Sequence, residues 1–438
     1  MHRRIAATLF TLTISLGLAE AGTAQEARAR WERMCRIRQD KFDLVLPEAM
    51  RENGIDMWIV MMREGNLDPL YEDLGRGYVG GDAFWVFTDR GGDRIERVTL
   101  GVGGYMLAQC PAYDLVGGSP DIRAFVAERD PARIGVNISS AIGGADGLSH
   151  TMYQQLLAEL GAPWADRVVS AEKLVSDFRS RRVATEIAAF AEAGELSREI
   201  AERAFSNEVI TPGVTTLEDV AWWMQDQLLS RGLLSSFDMP SVYVTGPNGI
   251  EATSTDRIIQ RGDLLMLDWG VGYLNFFTDM KRVAYVLREG ETEAPAGFRH
   301  AFEEGLRVRE IIRSNVRPGR TAGETLEHLE SLAEEAGFRV QEVFNQVTDD
   351  DRSEVMIGSH SVGNQGHGIG PSIAFFNPTR LTYEIRPSNL FSIELFVWVP
   401  APEWGGAKVR IPLEDDAVVT ERGVEWLYPV NERIRLVK

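Results

Sequence analysis

The first part of the chain alternates between short apolar runs and stretches with helical periodicity. Met57–Met62 and Ala83–Thr88 are continuous apolar runs of strand length, and glycine-rich turns follow the second of them. Further on, Arg133–Asn137 predicts another strand and His150–Leu160 predicts a helix. Short apolar runs of this kind indicate buried strands, and their mixture with helices is typical of an α/β domain. The pattern therefore predicts one α/β domain over residues 25–170.

A second domain is predicted over residues 171–438. Apolar residues recur at helical spacing between Ser170 and Arg203, which places the domain boundary near the start of that stretch. Further along, a Pro-Gly turn followed by the pattern Thr-x-x-Glu occurs twice, ending in Thr215–Glu218 and in Thr321–Glu324. This pattern predicts a capping box that opens a helix. Because both copies follow a helical segment, the sequence favours two related halves; the alternative is chance use of a common helix start.

The N-terminal 24 residues have the parts of a secretory signal peptide. A short basic start precedes the apolar stretch Ile5–Ala19, and small residues then allow cleavage after Ala21 or Ala24. The alternative is a membrane anchor, but about fifteen apolar residues are too few to cross roughly 30 Å of hydrocarbon comfortably. The pattern therefore predicts a periplasmic or secreted protein without stable membrane insertion.

The chain has two cysteines, Cys35 and Cys110. In an oxidising compartment they could form a disulfide, and they are equally compatible with two buried thiols. Their spacing does not indicate zinc or redox chemistry.

Acidic residues outnumber basic ones by 65 to 46, and the formal net charge of −19 argues against a nucleic-acid partner. Among these acidic residues, Asp268, Asp279, Glu394 and Glu414 lie within or beside apolar strand-like runs. Each alone has an ordinary explanation, such as an ion pair between Asp279 and a neighbouring basic side chain, Lys281 or Arg282. A carboxylate in an apolar strand costs several kcal/mol unless it is paired or binds a metal.

A histidine among glycines, His367 in Gly366–Gly370, makes a shared metal site a better explanation of the four carboxylates than separate ordinary roles. Glycines on both sides allow the backbone and the imidazole ring to approach an ion closely. Four carboxylates and one imidazole suit a pair of divalent ions such as manganese, iron, cobalt or zinc. The sequence therefore predicts a site with two divalent metal ions, most simply Mn²⁺.

The order of these residues resembles the pita-bread metallopeptidases. The aspartates are 11 residues apart, and Gly-His-Gly-Ile-Gly, Ser-Ile-Glu and Glu-Asp-Asp-x-Val-Val-Thr follow in the expected order. The family includes methionine aminopeptidase, aminopeptidase P, prolidase and creatinase. The resemblance covers about residues 170–438, and the preceding domain is similar to that of the aminopeptidase P, prolidase and creatinase branch. It implies an α+β fold, a pita-bread domain of two pseudo-symmetric halves after a smaller α/β creatinase-like domain.

The resemblance also implies roles for the site residues. Asp268 would chelate one metal ion, Asp279 and Glu414 would bridge both ions, and His367 and Glu394 would be the remaining direct ligands of the other ion. Glu394 would accept the proton of a metal-activated water and pass it to the leaving amine. The implied function is a Xaa-Pro aminopeptidase or prolidase-like peptidase, and a homodimer is expected from the resemblance alone.

The sequence departs from the family pattern at two histidines and at one arginine. The family has a histidine near positions 249–253 and another seven positions after His367, but this chain has no histidine at 249–253 and has Ala374 at the second place. His360 is the nearby histidine that could stand in for them. It either contacts substrate as a catalytic residue or is exposed in a loop. Arg410 precedes Glu414 by two residues more than the family usually shows. The missing histidines favour one alternative, a hydrolase or lyase for a non-peptide small molecule. A binding module without activity is a third possibility, and the complete set of predicted metal ligands argues against it.

Overall fold

The computed structural model describes the backbone of residues 10–343, 347–348 and 350–438, with side chains from residue 26 onward. The predicted signal peptide therefore lies outside the described residues over 1–9, and only helical backbone is described for its remainder. The chain divides into two compact units, the first formed by Met1–Ile138 with Asp146–Ala171 and the second by Ser139–Ala145 with Glu172–Lys438. Over the described residues, no helix combines the length and apolar character needed to cross a membrane.

The first unit is a mixed sheet with helices. Its helices are α1 (Phe10–Leu44), α2 (Leu46–Glu52), α3 (Tyr71–Leu74), α4 (Tyr105–Gln109), α5 (Ile122–Arg129) and α6 (His150–Leu160), with a 3₁₀ turn at Ala165–Arg167. Its strands are β1 (Met57–Met62), β2 (Tyr78–Asp89), β3 (Ile95–Gly103), β4 (Leu115–Gly118), β5 (Ile134–Val136) and β6 (Val168–Ser170).

The sheet of the first unit runs in the order β4-β3-β2-β1-β5-β6. Strand β1 is antiparallel to β2 and parallel to β5, so it lies in the interior of the sheet. All its residues are buried, which is why the sequence shows a continuous apolar run there and not an alternating one. The predictions of strand Met57–Met62 and of helix His150–Leu160 agree with the structure residue for residue.

Cys35 in α1 and Cys110 after α4 form a disulfide, which decides between the two alternatives that the sequence left open. Their Cα atoms are 5.7 Å apart and the bridge closes a loop between positions 75 residues apart. Both side chains are buried.

The second unit contains the predicted site. Its helices are α7 (Glu172–Ser180), α8 (Ala184–Ala204), α9 (Leu217–Arg231), α10 (Ala296–Asn315), α11 (Ala322–Glu335) and α12 (Pro378–Leu381), with 3₁₀ turns at Gly143–Ala145 and Pro402–Trp404. Its strands are β7 (Leu234–Ser235), β8 (Ser241–Gly246), β9 (Gly249–Glu251), β10 (Leu264–Trp269), β11 (Val271–Tyr273), β12 (Phe276–Phe277), β13 (Met280–Val286), β14 (Arg339–Val340), β15 (Glu354–Ile357), β16 (His360–Ser361), β17 (Leu390–Pro400), β18 (Lys408–Thr420), β19 (Gly423–Trp426) and β20 (Arg435–Val437).

The main sheet of this unit runs in the order β14-β15-β17-β18-β13-β10-β8-β9, and β16, β19 and β20 pair with β17, β18 and β13. Strands β17 and β18 pair without interruption from Leu390 opposite Val418 to Pro400 opposite Lys408. A smaller sheet has the order β12-β11-β7. The long uninterrupted pairing fixes which side chains lie next to one another across the sheet.

Helices cover one face of the main sheet in two groups. Helices α8 and α9 pack against Leu265, Leu267 and other residues of β8, β10 and β13. Helices α10 and α11 pack against odd-numbered residues of β17 and β18, such as Ile393 and Leu413. Because side chains alternate along a strand, the intervening residues point to the face that these helices do not cover.

The repeated helix start predicted from the sequence is present in both halves, with one correction. Thr321 and Glu324 form the predicted capping box of α11: Glu324 N–H donates to Thr321 Oγ1 at 3.2 Å, and Thr321 N–H donates to Glu324 Oε2 at 2.9 Å. At α9 the capping residue is Thr216, which pairs with Asp219. Thr215, the predicted cap, accepts a hydrogen bond from Thr211 N–H within the preceding turn, so the helix starts one residue later.

Removing either helix cap is expected to lower the stability of the protein by a small amount. Thr216→Ala and Thr321→Ala are each expected to lower the free energy of unfolding by about 1 kcal/mol, because each leaves an amide of the first helical turn without its acceptor. Urea denaturation followed by circular dichroism measures the change. Val214→Ala, at an exposed position before the cap, is the control and should have no measurable effect. Unchanged stability of the Thr216 variant would show that α9 is capped in another way.

Candidate metal centre

A row of charged side chains runs across neighbouring strands on the face that the helices leave uncovered. Asp268 on β10 pairs with Lys281 on β13, Lys281 pairs with Glu414 on β18, and Glu414 pairs with Glu394 on β17. Directly paired residues on neighbouring strands have Cβ atoms roughly 4.5–5.5 Å apart and point to the same face. The register of the sheet therefore brings together three of the carboxylates that the sequence singled out.

Lys281 lies within this row and contacts all three carboxylates. Its Nζ is 2.7 Å from Glu394 Oε1, 2.6 Å from Glu414 Oε2 and 3.2 Å from Asp268 Oδ2. The side chains of Glu414 and Lys281 are almost fully buried, and that of Asp268 is 32% exposed. The sequence offered Lys281 as a partner of Asp279; the structure instead places its ammonium among the other three carboxylates.

Asp279, the fourth carboxylate, immediately precedes β13 and is buried. It lies two residues before Lys281, and such a spacing in extended chain places both side chains on one face. Its backbone N–H donates to Asp416 Oδ2 at 3.4 Å, and Asp416 in turn accepts a hydrogen bond from the Tyr428 hydroxyl at 3.0 Å. Asp416 thereby holds the backbone of Asp279 beside the row.

His360 is the buried histidine of the site. It lies on β16, which pairs with β17 so that His360 is opposite Ser392. His360 Nε2 lies 3.7 Å from Asp279 Oδ2, 3.8 Å from Glu394 Oε2 and 3.6 Å from Glu414 Oε1. His360 is therefore next to the carboxylates, and the alternative that it is an exposed loop residue is wrong.

His367 lies at the edge of the same cluster. Its Nε2 is 3.7 Å from Asp279 Oδ2, but its side chain is 69% exposed. The ring stacks edge-on against His360, with centroids 4.9 Å apart, and lies 5.3 Å from the ring of Phe237. The two histidines thus differ in burial: one is surrounded by carboxylates and the other faces outward.

The glycines around the histidines are required by close packing. A Cβ on Gly363, whose φ is +143°, would lie 2.0 Å from the Arg182 guanidinium, and one on Gly368 would lie 2.7 Å from Ser361 O. Arg182 also donates to Asn364 Oδ1 at 2.6 Å. The glycine-rich sequence therefore lets the loop that carries His367 fold tightly against β16.

Burial shifts the pKa values of the charged side chains at this site. It is the main cause of raised pKa values for Asp268, Asp279 and Glu394, and the negative charge of Glu414 adds to the effect at Asp279. Burial alone would raise the pKa of Glu414 and lower that of Lys281. Charge interactions outweigh burial at both groups. Lys281, with help from His360, lowers the pKa of Glu414, and the negative charges of Asp268, Glu394 and Glu414 together raise the pKa of Lys281.

The pKa of the outer histidine, His367, is lowered, which favours its neutral form. Desolvation by the surrounding protein atoms, followed by the charge of His360, lowers the pKa of His367 to about 4. A neutral imidazole can donate one hydrogen bond or ligate a metal through its other nitrogen.

The arrangement fits a divalent metal ion. Ligand atoms of three overlapping groups lie within 4.8 Å of one another: Asp279 with His360 and His367, His360 with Glu394 and Glu414, and Asp268 with Asp279 and Glu414. Among the side chains that the structure describes, Asp279 Oδ1 and His360 Nε2 are buried and find no hydrogen-bond partner. Buried polar atoms without partners are costly, and carboxylate and imidazole donors together suit first-row divalent ions.

The structure brings together all the site residues predicted from the sequence, which are Asp268, Asp279, His360, His367, Glu394 and Glu414. It adds Lys281 as a member of the row and Ser392, whose hydroxyl donates to Glu414 Oε1 at 2.6 Å. The sequence already indicated Lys281 as a charged neighbour of Asp279, two residues away. It did not reveal Asp268, Glu394 and Glu414 as the partners of Lys281, because that pairing depends on the strand register.

The structure also locates the departures from the family pattern. Residues 249–251 form the exposed strand β9, and Ala374 is buried. Arg410 lies on β18 opposite Trp398, with its guanidinium 4.3 Å from the Phe396 ring centroid. Arg410 lies four residues before Glu414, two more than in the family pattern. Because β17 and β18 pair without a bulge, this even spacing keeps Arg410 on the same face of the sheet as Glu414.

Comparison with known proteins shows the family. The model of metallopeptidase family M24 matches residues 188–421, more than half of the chain. A Xaa-Pro dipeptidase of Pyrococcus furiosus is 26% identical over 187 residues, which cover 41% of this chain and 43% of that protein. An uncharacterized peptidase of Bacillus subtilis is 24% identical over 240 residues, covering 52% and 58%. The matched stretches span about half the length of these curated relatives.

Solved structures show the fold over most of the chain. An X-Pro aminopeptidase from Thermotoga maritima has a TM-score of 0.64 at 18% identity, covering 89% of this chain and all of that one. A Xaa-Pro dipeptidase from Bacillus anthracis has a TM-score of 0.61 at 19% identity, covering 94% and 100%. These likenesses confirm the predicted fold, a pita-bread domain preceded by a smaller α/β domain. With the family model matched across the residues of the metal centre, the chain belongs to metallopeptidase family M24.

Proposed function

We propose that the protein is an exported, divalent-metal-dependent peptidase that cleaves Xaa-Pro bonds, as an aminopeptidase or a dipeptidase. The observation that carries the proposal is the cluster of Asp279, His360, Glu394 and Glu414, whose ligand atoms converge on a buried face of the sheet. The Xaa-Pro dipeptidase and X-Pro aminopeptidase among its relatives support the substrate class.

Glu394 is placed to move the proton in this reaction. A bound divalent ion would supply a Lewis acid for the scissile carbonyl and a water that ionises near neutral pH. Glu394 is 12% exposed, and burial raises its pKa, which brings its carboxylate closer to the basicity that a proton acceptor needs. Its Oε1 contacts Lys281, whereas Oε2 faces His360. Glu394 would accept the proton of the attacking water and deliver it to the leaving amine.

The geometry favours exchanging the two histidine roles that the sequence suggested. We propose that buried His360 ligates the metal and that exposed His367 contacts the substrate. His367 follows His360 by seven positions, the spacing at which the family has a substrate-contacting histidine after its metal ligand. Ala374 is therefore no longer the position where that histidine is expected, and one of the two missing histidines is accounted for. Neutral His367 could donate a hydrogen bond to the substrate oxygen that becomes negative in the transition state.

Hydrolysis of a non-peptide small molecule is the second candidate. It is favoured by the absence of a histidine from residues 249–253 and by the lysine within the ligand row. Loss of one donor to the transition state typically slows a reaction by about 10²–10³-fold. A substrate with different charge development would not require that donor.

Export is proposed from two independent features. The first 24 residues have the pattern of a signal peptide, and the Cys35–Cys110 disulfide suits an oxidising compartment. The proposed location is the periplasm or the extracellular medium.

A metal-reconstitution assay tests the proposed activity. Chelated protein is supplied in turn with Mn²⁺, Co²⁺ and Zn²⁺ and given Xaa-Pro dipeptides, longer Xaa-Pro peptides, peptides without proline and small amidines. We expect Xaa-Pro hydrolysis that falls by more than about 100-fold on chelation and returns with a divalent ion, because chelation removes the Lewis acid.

The controls separate the two candidates. Asp279→Ala prepared in parallel serves as the blank for contaminating peptidases, since it lacks a central carboxylate. Turnover of the non-peptide substrates alone would contradict the peptidase proposal and support the second candidate. Folded wild-type protein that takes up no divalent ion would contradict both.

A further inference from the structure

Lys281 places a fixed positive charge among the predicted metal ligands. Its Nζ lies 2.6–3.2 Å from one oxygen each of Glu414, Glu394 and Asp268. Contacts of this length are charge-assisted hydrogen bonds. They occupy carboxylate oxygens that a metal ion beside Asp268 would need as ligands.

The position of Lys281 is set by the backbone. In the sheet it stands directly between Asp268 on one neighbouring strand and Glu414 on the other, on the same face. Its side chain is only 8% exposed, and its Nζ lies 5.5 Å from the centroid of the Phe396 ring. The lysine stem is therefore enclosed, and the register directs its side chain to the face that carries these carboxylates.

The contacts of the ammonium favour one divalent ion. The four carboxylates carry four negative charges, so one divalent ion with the ammonium leaves a net charge of −1 and two ions with the ammonium would leave +1. The two imbalances are equal in size, but a second ion would also have to lie next to the ammonium, which already contacts Asp268 Oδ2, Glu394 Oε1 and Glu414 Oε2. Two cations at such close range repel each other.

We propose that the ammonium of Lys281 takes the place of one metal ion, so that the site binds a single divalent ion near Asp279, His360, Glu394 and Glu414. The proposal rests on the metal dependence proposed above and differs from the two ions expected from the sequence. Glu394 Oε2 and Glu414 Oε1, which face His360, are not engaged by Lys281. Asp279 and His360 lie on the same side. Asp268, beside the ammonium, would then act chiefly as a partner of Lys281.

Metal stoichiometry tests the proposal without any activity assay. The whole protein is stripped with chelator, equilibrated with excess Mn²⁺, freed of unbound ion and analysed by elemental mass spectrometry. Electron paramagnetic resonance distinguishes an isolated Mn²⁺ from a coupled pair. We expect about one ion per wild-type chain and about two in Lys281→Met, which keeps an apolar stem of similar length and removes the charge.

Two further variants match this comparison. Lys281→Arg keeps the charge and should stay at about one ion per chain. Lys408→Met removes another buried lysine, paired with Glu354 outside the ligand row, and should also bind about one ion.

The outcomes separate this inference from the proposed function. A wild-type chain with two coupled ions would overturn the role of Lys281 and leave the metal-dependent peptidase standing. A Lys281→Met variant that is folded by circular dichroism and still binds one ion would also overturn it. Because the wild-type measurement alone is decisive, the test survives a variant that fails to fold. Folded wild-type protein that binds no Mn²⁺, Co²⁺ or Zn²⁺ would overturn the proposed function itself.

Discussion

His360→Ala is expected to weaken divalent-metal binding by more than about 100-fold, whereas His367→Ala should leave the metal bound. The difference follows from their positions. His360 Nε2 lies within 3.8 Å of three carboxylates and is buried, whereas His367 approaches one of them from an exposed position. Removing His360 takes a nitrogen donor from the centre of the ligand cluster.

His367→Ala should act on turnover instead. With the metal retained, we expect kcat to fall by about 10²–10³-fold and KM to change little, which is the signature of losing a donor used in the transition state. Titration with Mn²⁺ by calorimetry gives the affinities, and steady-state kinetics on the best Xaa-Pro substrate gives kcat and KM.

His300→Ala is the matched control, since this histidine is exposed on α10 and joins no group of candidate ligands within the described part of the chain. It should change neither metal affinity nor kcat. The reverse result, loss of metal in His367→Ala and retention in His360→Ala, would restore the assignment that the sequence first suggested. Loss of metal in both variants would make both histidines ligands and leave the substrate without a histidine partner.

The carboxylates could be predicted from the sequence because burial of charge leaves a local trace. Asp268, Glu394 and Glu414 interrupt apolar runs, and the structure places all three on strands. A charge at such a position needs a partner or an ion, and this physical requirement can be stated before any contact is known. The strand Met57–Met62 could be predicted for a related reason: a central strand buried on both faces leaves an uninterrupted apolar run.

The partners of these charges could not be predicted in the same way. Lys281 and Arg282 are adjacent, yet Lys281 contacts Glu414 while Arg282 forms an ion pair with Asp415 at 2.8 Å. Which carboxylate meets which cation depends on the register between β13 and β18, and register is a property of the whole sheet.

The two histidines show the same limit. Both lie in one glycine-rich segment, and the sequence Gly-His-Gly-Ile-Gly around His367 is the one that resembles the family motif. Only the pairing of β16 with β17 reveals that His360 points among the carboxylates. The helix cap at Thr216 differs from prediction for a smaller reason, because Thr215 is already engaged in the turn before it.

Removing the disulfide is expected to destabilise the first unit by about 4.5 kcal/mol, in the variant Cys35→Ala with Cys110→Ala. The bridge joins positions 75 residues apart and so restricts a large loop of the unfolded chain. In the loop-entropy description, a crosslink of this span stabilises the folded state more than a short one does. Both sulfurs are buried, so alanine also removes some packing, which acts in the same direction.

Urea denaturation with and without reductant measures the effect. The chain has two units, and its unfolding need not be two-state, so the transition is followed with probes that report on the first unit. Six of the ten tryptophans lie in the second unit, so total fluorescence does not separate the units. The first unit is followed by hydrogen exchange of the peptides that contain its buried Trp58 and Trp85. Wild-type protein should shift to lower urea when dithiothreitol is added, whereas the double variant should not respond to it.

Thiol counting gives an independent check on the bridge and on the compartment. Under denaturing conditions without reductant, protein recovered from the proposed compartment should show no alkylated cysteine; after reduction, both Cys35 and Cys110 should react. Two reactive thiols without reduction would contradict the bridge, and the export proposal would then rest on the N-terminal sequence alone. A bridged protein that is insensitive to dithiothreitol in urea would instead show that the crosslink adds little stability.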